Sequence, residues 1–234
     1  MEKMLPQKEF HFEDGEIINI DKPAGYTSFD VVKLVRKWTE CRKVGHAGTL
    51  DPLATGVLLV CTGKATKSVS DFMNLDKTYS GTIELGKTTD TDDREGKVLS
   101  EKKIPDFSKK EIESVVKSFK GNQKQIPPMY SALHVNGQRL YKLARKGKTV
   151  TREARDVTIH TFKLVEWKSP LIHFLVKCSK GTYVRSLARD IGEKLGTGGH
   201  LSNLRRLSIG DYTAENAYSL NDFKQLVLVT DEHL

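Results

Sequence analysis

The chain has 234 residues, with 38 lysines and arginines against 30 aspartates and glutamates, a formal charge of +8. Hydrophobic residues make up 38% and charged residues 29%, which excludes a fibrous or wholly disordered chain and leaves a globular protein. At this length folding hides about 70–75% of the unfolded surface, so no disulfide or metal staple is needed, and the basic excess permits an anionic partner without identifying one.

Cys41, Cys61 and Cys178 are odd in number and lack any CxxC or Cys/His ligand spacing, so neither a disulfide framework nor a structural zinc site is readable. A reducing cytoplasm fits that usage. The longest apolar run, Val57-Leu58-Leu59-Val60-Cys61, falls far below the roughly 20 residues of a membrane span. The start, Met1-Glu2-Lys3-Met4-Leu5-Pro6, has no apolar core for a secretory signal, so neither export nor membrane attachment is expected.

Glu16-Ile17-Ile18-Asn19-Ile20 reads as a short strand, ended by a loop at Asp21-Lys22-Pro23-Ala24-Gly25. Thr27 with Asp30 resembles a capping box, opening a helix in which Val31, Leu34, Val35 and Trp38 recur at helical spacing. Tyr79, Gly81, Ile83 and Leu85 alternate with Thr78, Ser80, Thr82 and Glu84, the pattern of a half-buried strand. Thr89-Asp90-Thr91-Asp92-Asp93 invites a calcium reading, but with Asp90 first the EF-hand pattern meets Arg94 at position five and Gly96 at position seven, and fails. A loop tied by Asx-type hydrogen bonds is expected instead.

A second capping box, Ser108 with Glu111, opens a helix whose Ile112, Val115, Val116 and Phe119 form one apolar face before Gly121. From Arg139 to Arg155 seven positive charges, those of Arg139, Lys142, Arg145, Lys146, Lys148, Arg152 and Arg155, face the single acid Glu153. Tyr130, His134 and Tyr141 interleave rings with that charge, which suits looped or single-stranded RNA; a solvated basic face is the plainer alternative. The stretch reads as a basic, RNA-contacting insertion at about residues 122–155 of a single catalytic domain spanning the chain.

Val157 and Ile159, then Phe162 and Leu164, suggest a strand with a break in phase; Ile172, Phe174, Val176 and Cys178 alternate again. After Ser179-Lys180-Gly181, Val184, Leu187, Ala188, Ile191 and Leu195 fit a helix closed by Gly196. Several strands are separated by too little chain for parallel crossovers, so the expected class is α/β of the α+β kind, a mixed, mostly antiparallel sheet flanked by helices and loops.

The densest unusual segment runs Gly45-His46-Ala47-Gly48-Thr49-Leu50-Asp51-Pro52-Leu53-Ala54-Thr55-Gly56-Val57-Leu58. Its glycines permit tight turns, and Pro52 pushes Asp51 into an extended conformation beside apolar neighbours. By itself an Asp-Pro is a turn element. Together with Asp21-Lys22-Pro23-x-Gly25-x-Thr27-Ser28, Asp76-Lys77-x-Tyr79, Gly86-x-Thr88-Thr89-Asp90-Thr91-Asp92 and Cys178-Ser179-Lys180-Gly181-Thr182-Tyr183-Val184-Arg185, however, the segment resembles the motif series of TruB-type tRNA pseudouridine synthases, in order, across about residues 15–210.

The resemblance implies a pseudouridine synthase fold and isomerisation of uridine 55, in the TΨC loop of tRNA, after base flipping. It implies no cofactor and no metal, since the reaction breaks a C–N glycosidic bond, turns the uracil and rejoins it through C5. Asp51 would be the nucleophile, attacking the ribose or the base. Arg185 would pair with it, since a carboxylate in a dry setting needs a fixed cation to stay charged. Tyr79, otherwise a core tyrosine, would stack on the flipped uracil, and its hydroxyl could help move a proton from C5. His46 would hold the rearranged RNA loop, Leu204 would line an apolar pocket, and Lys22 and Tyr183 fall in motifs expected to contact RNA, as do Arg139, Lys142, Arg145, Lys146 and Lys148 of the basic stretch. The implied partner is the TΨC arm of tRNA, met by a cytoplasmic monomer. Many bacterial members continue into a small C-terminal RNA-binding domain, whereas about two dozen residues follow Gly210-Asp211-Tyr212 here, so no full domain of that kind is expected. The competing reading is a non-catalytic RNA-binding or RNA-folding protein on the same scaffold. A two-carboxylate glycoside hydrolase would need a second placed acid that the sequence does not offer.

Overall fold

The protein's structure, a computed structural model, describes residues 10–231 apart from Ala132, Asn136, Arg145 and Thr149. The expectation about the first six residues therefore lies outside the described residues, as does Arg145, and so does the side chain of Arg139. In chain order come β1 (Ile17–Lys22), α1 (Ser28–Thr39), β2 (Val44–Ala47), β3 (Thr55–Thr62), α2 (Val69–Asn74), β4 (Lys77–Leu85), β5 (Lys87–Thr89) and β6 (Val98–Glu101). Then follow α3 (Lys109–Ser118), β7 (Gly121–Gln125), β8 (His134–Val135), β9 (Gln138–Arg139), α4 (Leu140–Ala144), β10 (Arg155–Lys168) and β11 (Leu171–Cys178). The series ends with α5 (Val184–Lys194), β12 (Gly199–Ile209), β13 (Tyr212–Thr213) and α6 (Leu220–Asp231). The chain divides into two compact units, one of residues 1–75 with 206–234 and one of residues 76–205. Among the described residues no helix is long and apolar enough to cross a membrane.

In the first unit β3 is the central element. It pairs antiparallel with β1, from Ile17↔Cys61 to Lys22↔Gly56, and with β2, from Val44↔Thr62 to Ala47↔Leu59. Leu58 and Val60 pack with Ile18 and Ile20, with Val31, Val32 and Val35 of α1, and with Phe223 and Val227 of α6. Val57 and Leu59 pack with Ala47 and Ile209 instead. A strand covered on both faces shows no period-two alternation, so sequence periodicity does not reveal it. The capping box of α1 forms in both directions: Asp30 N donates to Thr27 Oγ1 and Thr27 N donates to Asp30 Oδ2, each at 3.1 Å. That fixes where the helix starts, and its Val31 and Val35 are fully buried as the spacing requires. β1 runs on through Lys22, two residues beyond the expected end of the strand.

The second unit is built on antiparallel ladders, in keeping with its short connections. β4 pairs with β11 from Lys77↔Cys178 to Glu84↔Leu171, and β10 pairs with β11 and with β7. The break in phase expected after Ile159 is real: β10 is one strand of 14 residues whose register shifts between Ile159 and Thr161 and again between Leu164 and Glu166. The Ser108–Glu111 capping box forms, and Ile112 and Val116 of α3 are fully buried. α5 gives way at Leu195 to Gly196, whose φ of 76° suits a glycine. The Asp90–Asp93 segment is an Asx-tied loop, in which Asp93 Oδ1 accepts from Glu95 N at 3.0 Å and Asp90 Oδ1 accepts from Lys97 N at 2.8 Å.

Candidate active site

Asp51 lies on the connection between β2 and β3 in the first unit, and the residues on both sides of it are anchored separately. Ser28, buried in the first turn of α1, grips Leu50 twice: Leu50 N donates to Ser28 Oγ at 2.8 Å and Ser28 Oγ donates to Leu50 O at 3.1 Å. On the other side, the carbonyl of Pro52 accepts from Gly25 N at 2.9 Å and from Lys22 Nζ at 3.4 Å. The same ammonium donates to Pro23 O at 2.8 Å and Tyr26 O at 2.7 Å. Ala54 N closes a turn onto Asp51 O at 3.1 Å. A carboxylate between two such anchors is presented without having to order its own loop, which is what a positioned nucleophile requires.

A third anchor comes from Arg206, 1% exposed. Its Nε donates to Val57 O at 2.6 Å and its Nη2 to Gly48 O at 3.0 Å, tying the start of the β2–β3 connection to β3. Gly56, with φ of 101°, lets this approach occur, because an added Cβ would collide with the Arg206 carbonyl oxygen. Arg206 belongs to none of the sequence motifs. The available signal was its place two residues after Leu204 on a strand, on the same inward phase.

Lys22 requires a correction. The expectation was a lysine facing RNA; its side chain is fully buried and its ammonium is turned onto loop carbonyls, so it clamps the site from inside. His46, on β2, has a buried Nδ1 with no hydrogen-bond partner, and burial followed by the nearby Arg206 charge holds its pKa below the usual 6.5. The imidazole is therefore neutral at physiological pH.

Tyr79 and Arg185 belong to the second unit. Tyr79 lies opposite Val176 on β4 and is 8% exposed. Arg185, in the first turn of α5, is 6% exposed; it donates to Thr91 O at 3.0 Å and Tyr130 O at 2.9 Å and stands 3.6 Å from Asp93 Oδ2. Asp93 lies 92 residues from this arginine in the chain, so no local spacing marks the two as partners. Tyr183 is held through its backbone by both ends of the Gln125 amide, at 2.8 and 3.1 Å. Leu204 is 5% exposed, inside the packed interior. Lys142, Lys146 and Lys148 are all exposed. Burial pushes the thiols of Cys61 and Cys178 up to about 11, so both stay protonated and offer no competing nucleophile at neutral pH.

Comparison with known proteins gives consistent relatives. The family described as TruB family pseudouridylate synthase (N terminal domain) matches residues 36–184, and tRNA pseudouridylate synthase B C-terminal domain matches residues 185–234. The tRNA pseudouridine synthase B of Clostridium tetani is 48% identical over 209 residues, covering 89% of this chain and 72% of the relative. That of Opitutus terrae is 45% identical over 223 residues, covering 95% of this chain and 91% of the relative. Among solved structures, a Cbf5–Nop10–Gar1 complex contains a chain 30% identical, with a TM-score of 0.75 over 96% of this chain. An H/ACA RNP bound to a substrate RNA containing 2′-deoxyuridine gives 28% identity and a TM-score of 0.71 over 95% of it. This chain spans 58% and 56% of those two structures' chains.

Proposed function

Because the chain belongs to the TruB family of pseudouridylate synthases, and is thus an enzyme that makes pseudouridine in tRNA, we propose that it acts on uridine 55 of the TΨC arm with Asp51 as nucleophile. The observation that carries the assignment is the triple anchoring of the Asp51 loop by Ser28, Lys22 and Arg206, which holds the residues flanking the carboxylate while leaving Asp51 itself partly exposed.

The reaction is an isomerisation. Asp51 forms a covalent adduct with the substrate, the N1–C1′ bond breaks, the uracil turns, a C5–C1′ bond forms, and the bond to the Asp51 carboxylate breaks again, so that the free carboxylate is regenerated. C5 gives up its proton and N1 gains one, so atoms and electrons balance without any redox partner. Removing a base from its stack costs a few kcal/mol. Tyr79 offsets part of that by stacking on the extruded uracil, and Arg185 keeps the nucleophile charged. His46 supports the rearranged RNA loop and Leu204 forms an apolar pocket wall. Tyr183, Arg139, Lys142, Arg145, Lys146 and Lys148 contact the RNA around them. The protein works as a monomer in the cytoplasm, as one catalytic domain in which residues 122–155 form the RNA-contacting insertion.

Unmodified tRNA carrying tritium at C5 of its uridines tests this, because C5 loses its hydrogen only when it bonds to C1′. Release of one tritium per tRNA, abolished when uridine 55 is replaced by cytidine, is expected. Release that persists after that replacement would contradict the assigned position, and RNA binding with no release would favour the non-catalytic alternative.

A further inference from the structure

Two large aromatic side chains beside the Asp51 loop face outward, although the residues that carry them are firmly held. Tyr26 is 41% exposed and Phe29 is 55% exposed. The carbonyl of Tyr26 shares the Lys22 ammonium with the carbonyl of Pro52, the residue next to Asp51. Phe29 lies in the first turn of α1, directly after Ser28, whose hydroxyl holds Leu50. Both rings therefore sit on backbone that shares its anchors with the candidate catalytic loop.

Neither ring serves the core of this unit. α1 buries Val31, Val32 and Val35 in that core, whereas Phe29 is more than half exposed and is not part of it. Scattered exposed apolar residues are ordinary, but a cation accompanies these: Lys33 Nζ stands 4.9 Å from the centre of the Phe29 ring and 3.6 Å from Asp30 Oδ1, and its 59% exposed side chain leaves it able to exchange that solvated pair for a phosphate. Exposed aromatic faces next to a positive charge match unpaired nucleotides, whose bases stack on rings and whose phosphates meet the cation.

We infer that Tyr26 and Phe29 form a stacking subsite for unpaired bases of the substrate RNA loop, with Lys33 meeting an adjoining phosphate. This rests on the reading of the Asp51 loop as catalytic, because only then does the subsite lie beside the nucleotide being modified.

The test uses a tRNA arm in which 2-aminopurine replaces the loop nucleotides one at a time. With the unaltered protein, fluorescence at one or two positions is quenched on binding. In the full-length Tyr26→Leu/Phe29→Leu variant that quench is lost and KM rises about tenfold, equivalent to about 1.4 kcal/mol, while kcat falls less than threefold. The Tyr26→Phe/Phe29→Tyr variant restores both readouts, because it restores the rings. Unchanged quenching and KM in the leucine variant would overturn the subsite, and so would a lowered melting temperature with unchanged RNA parameters, which would show that the rings serve the fold. Activity surviving in Asp51→Asn would instead refute the catalytic reading, and the quench would report on the rings separately.

Discussion

Arg206 is a buried cation whose guanidinium satisfies two carbonyls on either side of Asp51, those of Gly48 and Val57. Arg206→Met keeps much of the side-chain length and apolar stem but leaves both acceptors without their donor, at a cost of about 1–3 kcal/mol each. The expected result is a lower unfolding midpoint in urea together with a fall in kcat larger than the rise in KM. An unchanged kcat in the folded variant would show that the loop does not depend on this anchor. His46 gives a pH signature. Its folded pKa is depressed, so its contribution to stability is complete above the unfolded value near 6.5 and is lost as pH falls through the lower folded value. Melting temperature should therefore decline from pH 6.5 toward about pH 5 more steeply in the unaltered protein than in His46→Gln; equal slopes would contradict the burial of a neutral imidazole. Pro52 and the surrounding motif mark Asp51 in the sequence as the candidate nucleophile, and the fold adds the anchors on either side of it. Lys22 falls in a motif expected to contact RNA, and only the fold shows the loop carbonyls converging on its ammonium.

Among the elements, legibility followed periodicity and capping. α1 and α3 announce themselves by reciprocal Thr27–Asp30 and Ser108–Glu111 caps, and β4 and β11 by alternation. β3 hides because both its faces are covered, and β7, Gly-Asn-Gln-Lys-Gln, hides because it is polar and gains its place from pairing with β10 rather than from an apolar face. The close approach of Gly56 to the Arg206 backbone makes β3 sensitive to one methyl group. Gly56→Ala meets both a positive φ and a backbone collision, so it should destabilise the protein by roughly 4 kcal/mol or prevent folding. Ala at the exposed Gly147 shares the positive-φ strain, with φ of 69°, but its added Cβ meets nothing within 4 Å, so it should cost only the backbone part, about 1–2 kcal/mol. Equal midpoints for the two variants would show that the β3 backbone can move aside.

At the scale of the whole molecule, the formal charge of +8 acquires meaning from where the cations stand. Lys142, Lys146 and Lys148 are exposed within the basic stretch and are available to phosphates. Replacing all three by Gln should weaken tRNA binding and flatten the log–log salt dependence by roughly 0.7–0.9 for each phosphate that is no longer neutralised. A slope that does not change would place the RNA on another surface. Composition alone permitted an anionic partner, the motif series pointed to tRNA, and family membership supplies the reaction.

The most direct test compares pseudouridine formation in unmodified tRNA by the unaltered protein and by Asp51→Asn, with affinity measured in parallel. The substitution removes the nucleophilic charge at nearly constant volume, so pseudouridine should form with the first protein and be undetectable with the second, while both bind tRNA with dissociation constants within about threefold, under about 0.7 kcal/mol. Turnover by carefully purified Asp51→Asn, free of unaltered enzyme, would contradict the assignment of Asp51 as the nucleophile.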